Sequence, residues 1–324
     1  MCLRRTTLDE EQVIKLLWKS MRSGNEDPYD DDVAWSQNIP KRLLVSKCDM
    51  LVSFTDVPPT MTPSQMANKS IVSAVSDLIA KGVKPAYCMI SIGLPKKYST
   101  KNFVKGLASG FRSASIKYGF KILGGDTNAT SSDIVIDVLL FGYADRIVPR
   151  SGARPGDIIA ASGDFGLQAA GLKLLLGTAT STSEFRARAT RTVLEPKART
   201  DLRKIVSIYF GSCIDSSDGL ALSLYHLAES SNVNIELDTV PLADGVNEFA
   251  AKNSLHPQEL GLFGGEEYEL IGTIDPRHEK AVRRVGGKII GKVTSRTNKR
   301  SKPLVTLGSK KIPRRGWLHF QSQR

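Results

Sequence analysis

Four cysteines, four histidines and three tryptophans in 324 residues leave this chain poor in the side chains from which soft-metal sites and disulfide frameworks are built. Cys2, Cys48, Cys88 and Cys213 lie far apart with no C-x-x-C pair, which argues against structural zinc and disulfide stapling and fits a reducing, cytoplasmic setting. Long hydrophobic runs are also missing. The most apolar stretch, Ile134 to Tyr143 (IVIDVLLFGY), is interrupted and well short of the roughly 20 residues that cross a bilayer, and the acid-containing amino terminus has no signal-peptide core. A soluble protein without a membrane partner is expected.

Enough apolar residues are present, 41%, for real cores, and the length exceeds what one core usually organises, so two domains are expected. The formal charge of +12 is unevenly placed: Arg277 to Arg324 holds fifteen Lys or Arg and one acid, Glu279, whereas the rest holds thirty bases and thirty-two acids. Three readings stay open for that basic end: a solvated face, attraction to phosphate-bearing molecules, and nucleic-acid binding.

Periodicity predicts an amphipathic helix over 8–22 (LDEEQVIKLLWKSMR), strands at 42–46 and 50–54, and a helix from Ser64 to Lys81 stopped by Gly82. A strand at 86–92, a helix at 101–118 and strands at 120–124 and 134–143 complete an α+β first half. The prolines and glycines of Arg146–Gly156 (RIVPRSGARPG) mark a boundary, giving domains 1–148 and 149–324. The second half alternates strand and helix character and reads as α/β, and the polar stretch Lys299–Lys311 reads as a mobile loop.

Aspartates stand at element ends beside small or apolar neighbours: Asp31 and Asp32 in PYDDDVAW, Asp49, Asp77, Asp126, Asp215 and Asp218. Asp77 lies inside an otherwise apolar or small-residue helix, where a lone carboxylate is costly and wants a counter-charge. Oxygen-only ligands without His or Cys suit magnesium, and magnesium brings phosphate with it. Caps, turns and solvated acids are the plain alternative for any one of them. Gly286–Lys292 (GGKIIGK) has P-loop spacing, but Val293 stands where Ser or Thr is needed and the Ile-Ile centre resembles a strand. In KILGGDTN a strand runs into two glycines and an acid, which lets backbone amides approach an anion while the carboxylate meets a metal.

Seven stretches in order, DDDVA, KCDMLV, NKSIVSAVSDLIAKGVKP, ILGGDTN, PRSGARPGD, IDSSDGL and FGGEEYEL, resemble the thiamine-monophosphate kinase family over positions 8 to 320. That family belongs with the aminoimidazole ribonucleotide synthetase and selenophosphate synthetase relatives. The resemblance implies magnesium-dependent transfer of the ATP γ-phosphoryl to thiamine monophosphate. It also implies a homodimer, with the amino-terminal sheet forming a barrel at the dimer contact and a carboxyl-terminal α/β domain supplying the far wall. Carried over, the metal ligands are Asp32, Asp49, Asp77, Asp126, Asp215 and Asp218. The nucleotide contacts are Gly124, Gly125, Arg150 and Ser217, with Arg150 and Asp218 in catalytic roles, and the thiamine side takes Asp56, Glu266 and Trp317. The acids of PYDDDVAW would then repel one another until cations and a triphosphate arrive, with Asp32 a direct ligand, Asp31 behind it and Asp30 a loop residue.

A phosphate nucleophile has a second pKa near 6 and needs no general base, which leaves His226 and His319 as packing or surface residues. Four departures from the family pattern stand out. Asp56 falls where bacterial members carry a histidine, Cys48 replaces a threonine beside Asp49, Asn128 replaces a threonine, and Glu267 replaces an aspartate. The alternatives are a sister synthetase, for which Cys2 lacks a glycine-rich setting and the QSQR end lacks a cysteine, or a paralogue that binds ATP without turnover.

Overall fold

The computed structural model describes residues 34–39, 42–296 and 301–318, with side chains from residue 42 onward. The 8–22 helix, Asp30, Asp31, Asp32 and His319 lie outside the described residues.

The first sheet has five strands in the order β1 (Ala34–Ile39), β2 (Arg42–Val52), β5 (Val135–Ala144), β3 (Lys84–Pro95) and β4 (Lys121–Thr130). β3 and β4 run parallel and the other pairs antiparallel. Along β5 burial alternates, with Ile136, Val138 and Leu140 fully inside, as a one-sided sheet requires. Two helices cover that face: α1 (Pro63–Ala80) and α2 (Lys101–Tyr118). Thr62 and Gln65 close a capping box on α1 with Pro63 in its first turn, and Thr100 caps α2, which ends at Gly119 in the left-handed region. These local signals put both helix boundaries within a residue of expectation.

Two first-half expectations change. The strands expected at 42–46 and 50–54 are one strand, because β2 pairs with β5 without interruption from Leu43 to Val52; residues 53–56 then form a helical turn. The strand expected at 120–124 runs on to Thr130, held by β3. Among the described residues the sheet is open, with β1 and β4 at its edges, and the barrel expected at a dimer contact needs a second copy.

The second sheet has seven strands, ordered β12 (Lys310–Lys311), β11 (Val305–Leu307), β8 (Asn234–Leu237), β10 (Lys288–Thr294), β6 (Ile158–Ala161), β9 (Leu270–Ile274) and β7 (Phe210–Asp215). Among the described strand pairs of this sheet only β11–β8 is parallel, so the α/β expectation gives way to an α+β half. GKIIGK forms β10, as its Ile-Ile centre suggests, and not a phosphate loop. Part of the expected mobile loop at 299–311 instead adds β11 and β12 to the sheet edge, because Val305 is fully buried there.

Outside this sheet lie α3 (Leu167–Leu175), α4 (Ser183–Leu194), α5 (Arg203–Tyr209), α6 (Leu220–Ser231), α7 (Val246–Lys252) and α8 (Pro257–Phe263). One hydrophobic cluster runs from Val45, Ile71 and Leu140 through Cys213 to Leu270 and so crosses between the halves. Among the described residues no helix is long and apolar enough to cross a membrane.

Candidate active site

Three loops of the second half interlock beside α1. The loop after β7 offers the carbonyls of Ser216 and Ser217 to the backbone N–H groups of Tyr268 (3.1 Å) and Glu266 (2.6 Å), and Ser216 N–H donates to Glu269 O at 2.8 Å. Trp317 N–H donates to Asp218 O at 3.0 Å. Gly265 permits the contact: a Cβ there would meet Ser217 O at 2.7 Å and come within 3.6 Å of the Trp317 side chain. Glu266 (φ 63°) and Tyr268 (φ 53°) occupy the left-handed region, uncommon for residues with side chains and typical of functional loops.

Lysines organise the acids around this knot. Lys69 on α1, only 4% exposed, donates through Nζ to Asp56 O (2.6 Å) and forms an ion pair with Glu266 Oε1 (2.5 Å). The Asp56 carboxylate turns back to accept from Val52 N–H at 2.7 Å. Asp77 finds its counter-charge in Lys47 of β2, at 2.7 Å. Lys81, with no exposed surface, donates to Cys213 O at 2.7 Å and pins the end of α1 to β7. At the centre the Tyr268 phenol is pushed well above its ordinary pKa, by burial first and then by the negative charges of Glu266, Asp49, Asp215 and Asp56. Four of the acids singled out in the sequence therefore act electrostatically on one hydroxyl. None of the three lysines drew notice as a site residue, although Lys69 and Lys81 frame the apolar helix that carries Asp77.

Other sites lie apart. Asp126, Gly124 and Gly125 are on β4, the open edge of the first sheet, where residues 121–129 are exposed. Asp49 shares a cross-strand row with Val138, Ile90 and Gly125, whereas Asp126 shares the next row with Met50, Asp137 and Ser91. Pleat alternation sends Asp49 and Asp126 to opposite faces, and three strand intervals separate them by roughly 14 Å. The Cys48 thiol lies on the row side of Asp126, donating to Asp137 Oδ1 at 3.2 Å; burial and Asp137 push its pKa up to about 11. Arg150 leaves the first half alongside β7, where Pro149 O accepts from Cys213 N–H at 3.0 Å. His226 is half-buried on α6.

Glu267 and Glu269 brace the knot from behind. Glu267 Oε1 accepts from Gly166 N–H at 2.7 Å and so caps α3; desolvation outweighs that bond and pushes its pKa up to about 8. Glu269 accepts from Arg199 Nη1 at 2.7 Å and from Ser162 Oγ.

Among the described residues no three acids, histidines or cysteines form a group able to hold a metal alone. Magnesium does not require one, since it takes one or two carboxylates and completes its shell with water and substrate phosphate. The oxygen-only donors at Asp49, Asp77 and Asp215 suit that chemistry, and Ser76 and Ser216, beside two of those acids, carry buried hydroxyls without a protein hydrogen-bond partner.

Residues 30–144 match the family described as AIR synthase related protein, N-terminal domain. With its two sheets and an acid-lined seam between them, the molecule has the architecture of AIR synthase-related proteins. The relatives are more specific. A thiamine-monophosphate kinase of Nitrosopumilus maritimus is 39% identical over 97% of this chain and 99% of its own, and one of Aquifex aeolicus 32% identical over 98% and 100%. A solved structure described as "AaThiL complexed with AMPPCP and TMP" superposes with TM-score 0.88 at 31% identity, covering 99% of this chain and 100% of that one. The chain belongs to the thiamine-monophosphate kinase family.

Proposed function

We propose that this protein transfers the γ-phosphoryl group of ATP to thiamine monophosphate, giving thiamine diphosphate and ADP. The observation that carries the reading is the knot in which Lys69 joins Asp56 to Glu266 beside Trp317, Asp49 and Asp215, within a chain whose relatives are thiamine-monophosphate kinases. The ATP analogue and TMP named for the solved relative support both substrates.

The acceptor's own phosphate is the nucleophile, largely deprotonated at neutral pH, so the chain supplies position and charge instead of a base. Glu266, held by Lys69, and Trp317 would receive the thiamine moiety, whose ring is cationic and complements a carboxylate and an aromatic face. Asp56 would reach it from the opposite loop, in the place of a histidine. Ser217, Gly124 and Gly125 would approach the nucleotide, and Arg150 would offset charge on the transferring group. Asp49, Asp77, Asp215, Asp218, Asp126 and Asp32 would hold magnesium, which when bound neutralises the phosphate oxygens.

Asp126 belongs to this set only if the open edge of the first sheet closes against something. A homodimer does that: Met50, Met89, Ile122 and Leu123 are exposed on β2, β3 and β4, and pairing two such sheets into a barrel would cover them and enclose β4. The division of labour is then 1–148 for nucleotide, metal and dimer contact, and 149–324 for the far wall.

Purified protein with magnesium, ATP and thiamine monophosphate should form thiamine diphosphate, and Asp126→Asn should lower kcat by about 100-fold or more, the usual scale for lost transition-state charge stabilisation. Absence of product overturns the kinase reading; full activity in the variant removes Asp126 from the metal set.

A further inference from the structure

At the end of the first sheet away from the candidate active site there is a cavity of about 620 Å³. It is lined by the start of β2 and β3, the end of β5, the entry to β4 and one face of α5. Arg42 contributes to it and lies seven residues along β2 from Asp49, which is roughly 24 Å of extended chain. The volume is within the range of small-molecule sites.

Its charge is one-sided. Arg42, Lys84, Lys121, Arg146 and Arg203 converge on the cavity, against one carboxylate, Asp145, which faces Arg42 at 3.6 Å. Two of the guanidinium groups are held by backbone carbonyls: Arg146 Nη2 donates to Phe210 O at 2.7 Å and Arg203 Nη1 to Gly82 O at 3.2 Å. Both bonds reach across from one half of the chain to the other, so the seam itself sets the spacing of the cations. Lys84 and Lys121 make no ion pair with a carboxylate among the described residues. Tyr87 and Tyr143 complete the lining with ring surface and hydroxyl groups. Fixed guanidinium forks and mobile ammonium groups around a partly apolar wall are the chemistry that recognises phosphate oxygens on a molecule with a flat ring.

We propose that this cavity is a second binding site, separate from the kinase centre, for a small phosphate-bearing molecule with a planar ring. A nucleotide and thiamine diphosphate both present that chemistry. No feature of the cavity draws on the transfer reaction, so the site and the kinase reading stand or fall separately.

Charge reversal of the two ammonium groups, Lys84→Glu with Lys121→Glu, tests it in the full-length protein by calorimetric titration without divalent metal. The probes are inorganic pyrophosphate, ADP and thiamine diphosphate. The expected result is pyrophosphate affinity lower in the variant by roughly 10- to 100-fold, the scale of lost charge-assisted hydrogen bonds, with KM for ATP in the kinase assay unchanged. A loss on ADP alone identifies a nucleotide site and a loss on thiamine diphosphate alone a product site; either supports the proposal. Identical titrations of the two proteins overturn it. Should the double variant melt early, crystals of the unaltered protein soaked in pyrophosphate decide: density between Arg146 and Lys84 supports the site, and density confined to the Asp49–Asp215 seam overturns it.

Discussion

Lys69 and Glu266 show how a single residue's meaning changes on folding. In the linear chain Lys69 is one of forty-five basic residues; in the structure it is buried and determines where a left-handed glutamate points. Composition cannot reveal such pairs, because the partners are almost two hundred positions apart and only the fold joins them. The need of Asp77 for a counter-charge was legible, since a carboxylate amid apolar residues is costly wherever the helix lies; the identity of that charge, Lys47, was not. Glu267 offers a test at this scale. Its folded pKa of about 8 lies above the unfolded value of 4.5, so the native state keeps a proton that the unfolded chain releases between those limits. Stability from this group is present below about pH 4.5 and is lost as pH rises toward 8, by no more than about 1.4 kcal/mol per pH unit for one proton. Glu267→Gln keeps an oxygen for Gly166 N–H and has no such slope. Its melting temperature relative to the unaltered protein should therefore rise between pH 5 and pH 8.5, and a constant difference across that range would refute the assignment.

Elements differ in how much of themselves they carry in sequence. The helices α1 and α2 were readable from apolar spacing and, for α1, from the Gly82 stop; the structure adds the local caps at Thr62, Gln65, Thr100 and Gly119. Strand pairing is not local. The antiparallel second sheet was hidden by an alternation of helix and strand that two topologies share, and the two residues of β12 become a strand only by meeting β11. β4 is the sharpest case, since an exposed GGDTN segment stays extended only because β3 accepts it. A Cβ on Gly125 would come within 1.6 Å of Ile90 O, so Gly125→Ala should force β4 from β3 at a cost of about 1–3 kcal/mol. Amide hydrogen exchange would register this as lost protection over 124–130 and weaker ATP binding, with α1 protected as before. Unchanged exchange would mean that β4 does not depend on that close approach.

For the whole molecule, the basic carboxyl-terminal region is dispersed in the fold. Arg277, Arg283, Lys288, Lys292 and Arg314 pair with Asp275, Glu279, Asp164, Glu236 and Glu229, which spreads their charge over the surface of the second half. The apolar outer face of the first sheet is the larger statement about assembly. Met50 and Leu123 are 58% and 62% exposed, and if the proposed homodimer uses this face, replacing both with lysine should lower the mass on light scattering to that of a single chain, with kinase activity falling in parallel. A double variant that keeps the mass and activity of the parent would exclude this face as the contact. The helix α1 carries a further consequence. It is tied to the second half by Lys69 on its second turn and by Lys81 at its end, while its flank is packed on β2 and β5 of the first. Evolution therefore cannot shuffle the halves as interchangeable cassettes: a gene spliced at residue 148 would separate Lys69 from the Glu266 carboxylate and Lys81 from the Cys213 carbonyl, and neither fragment would inherit a finished interior.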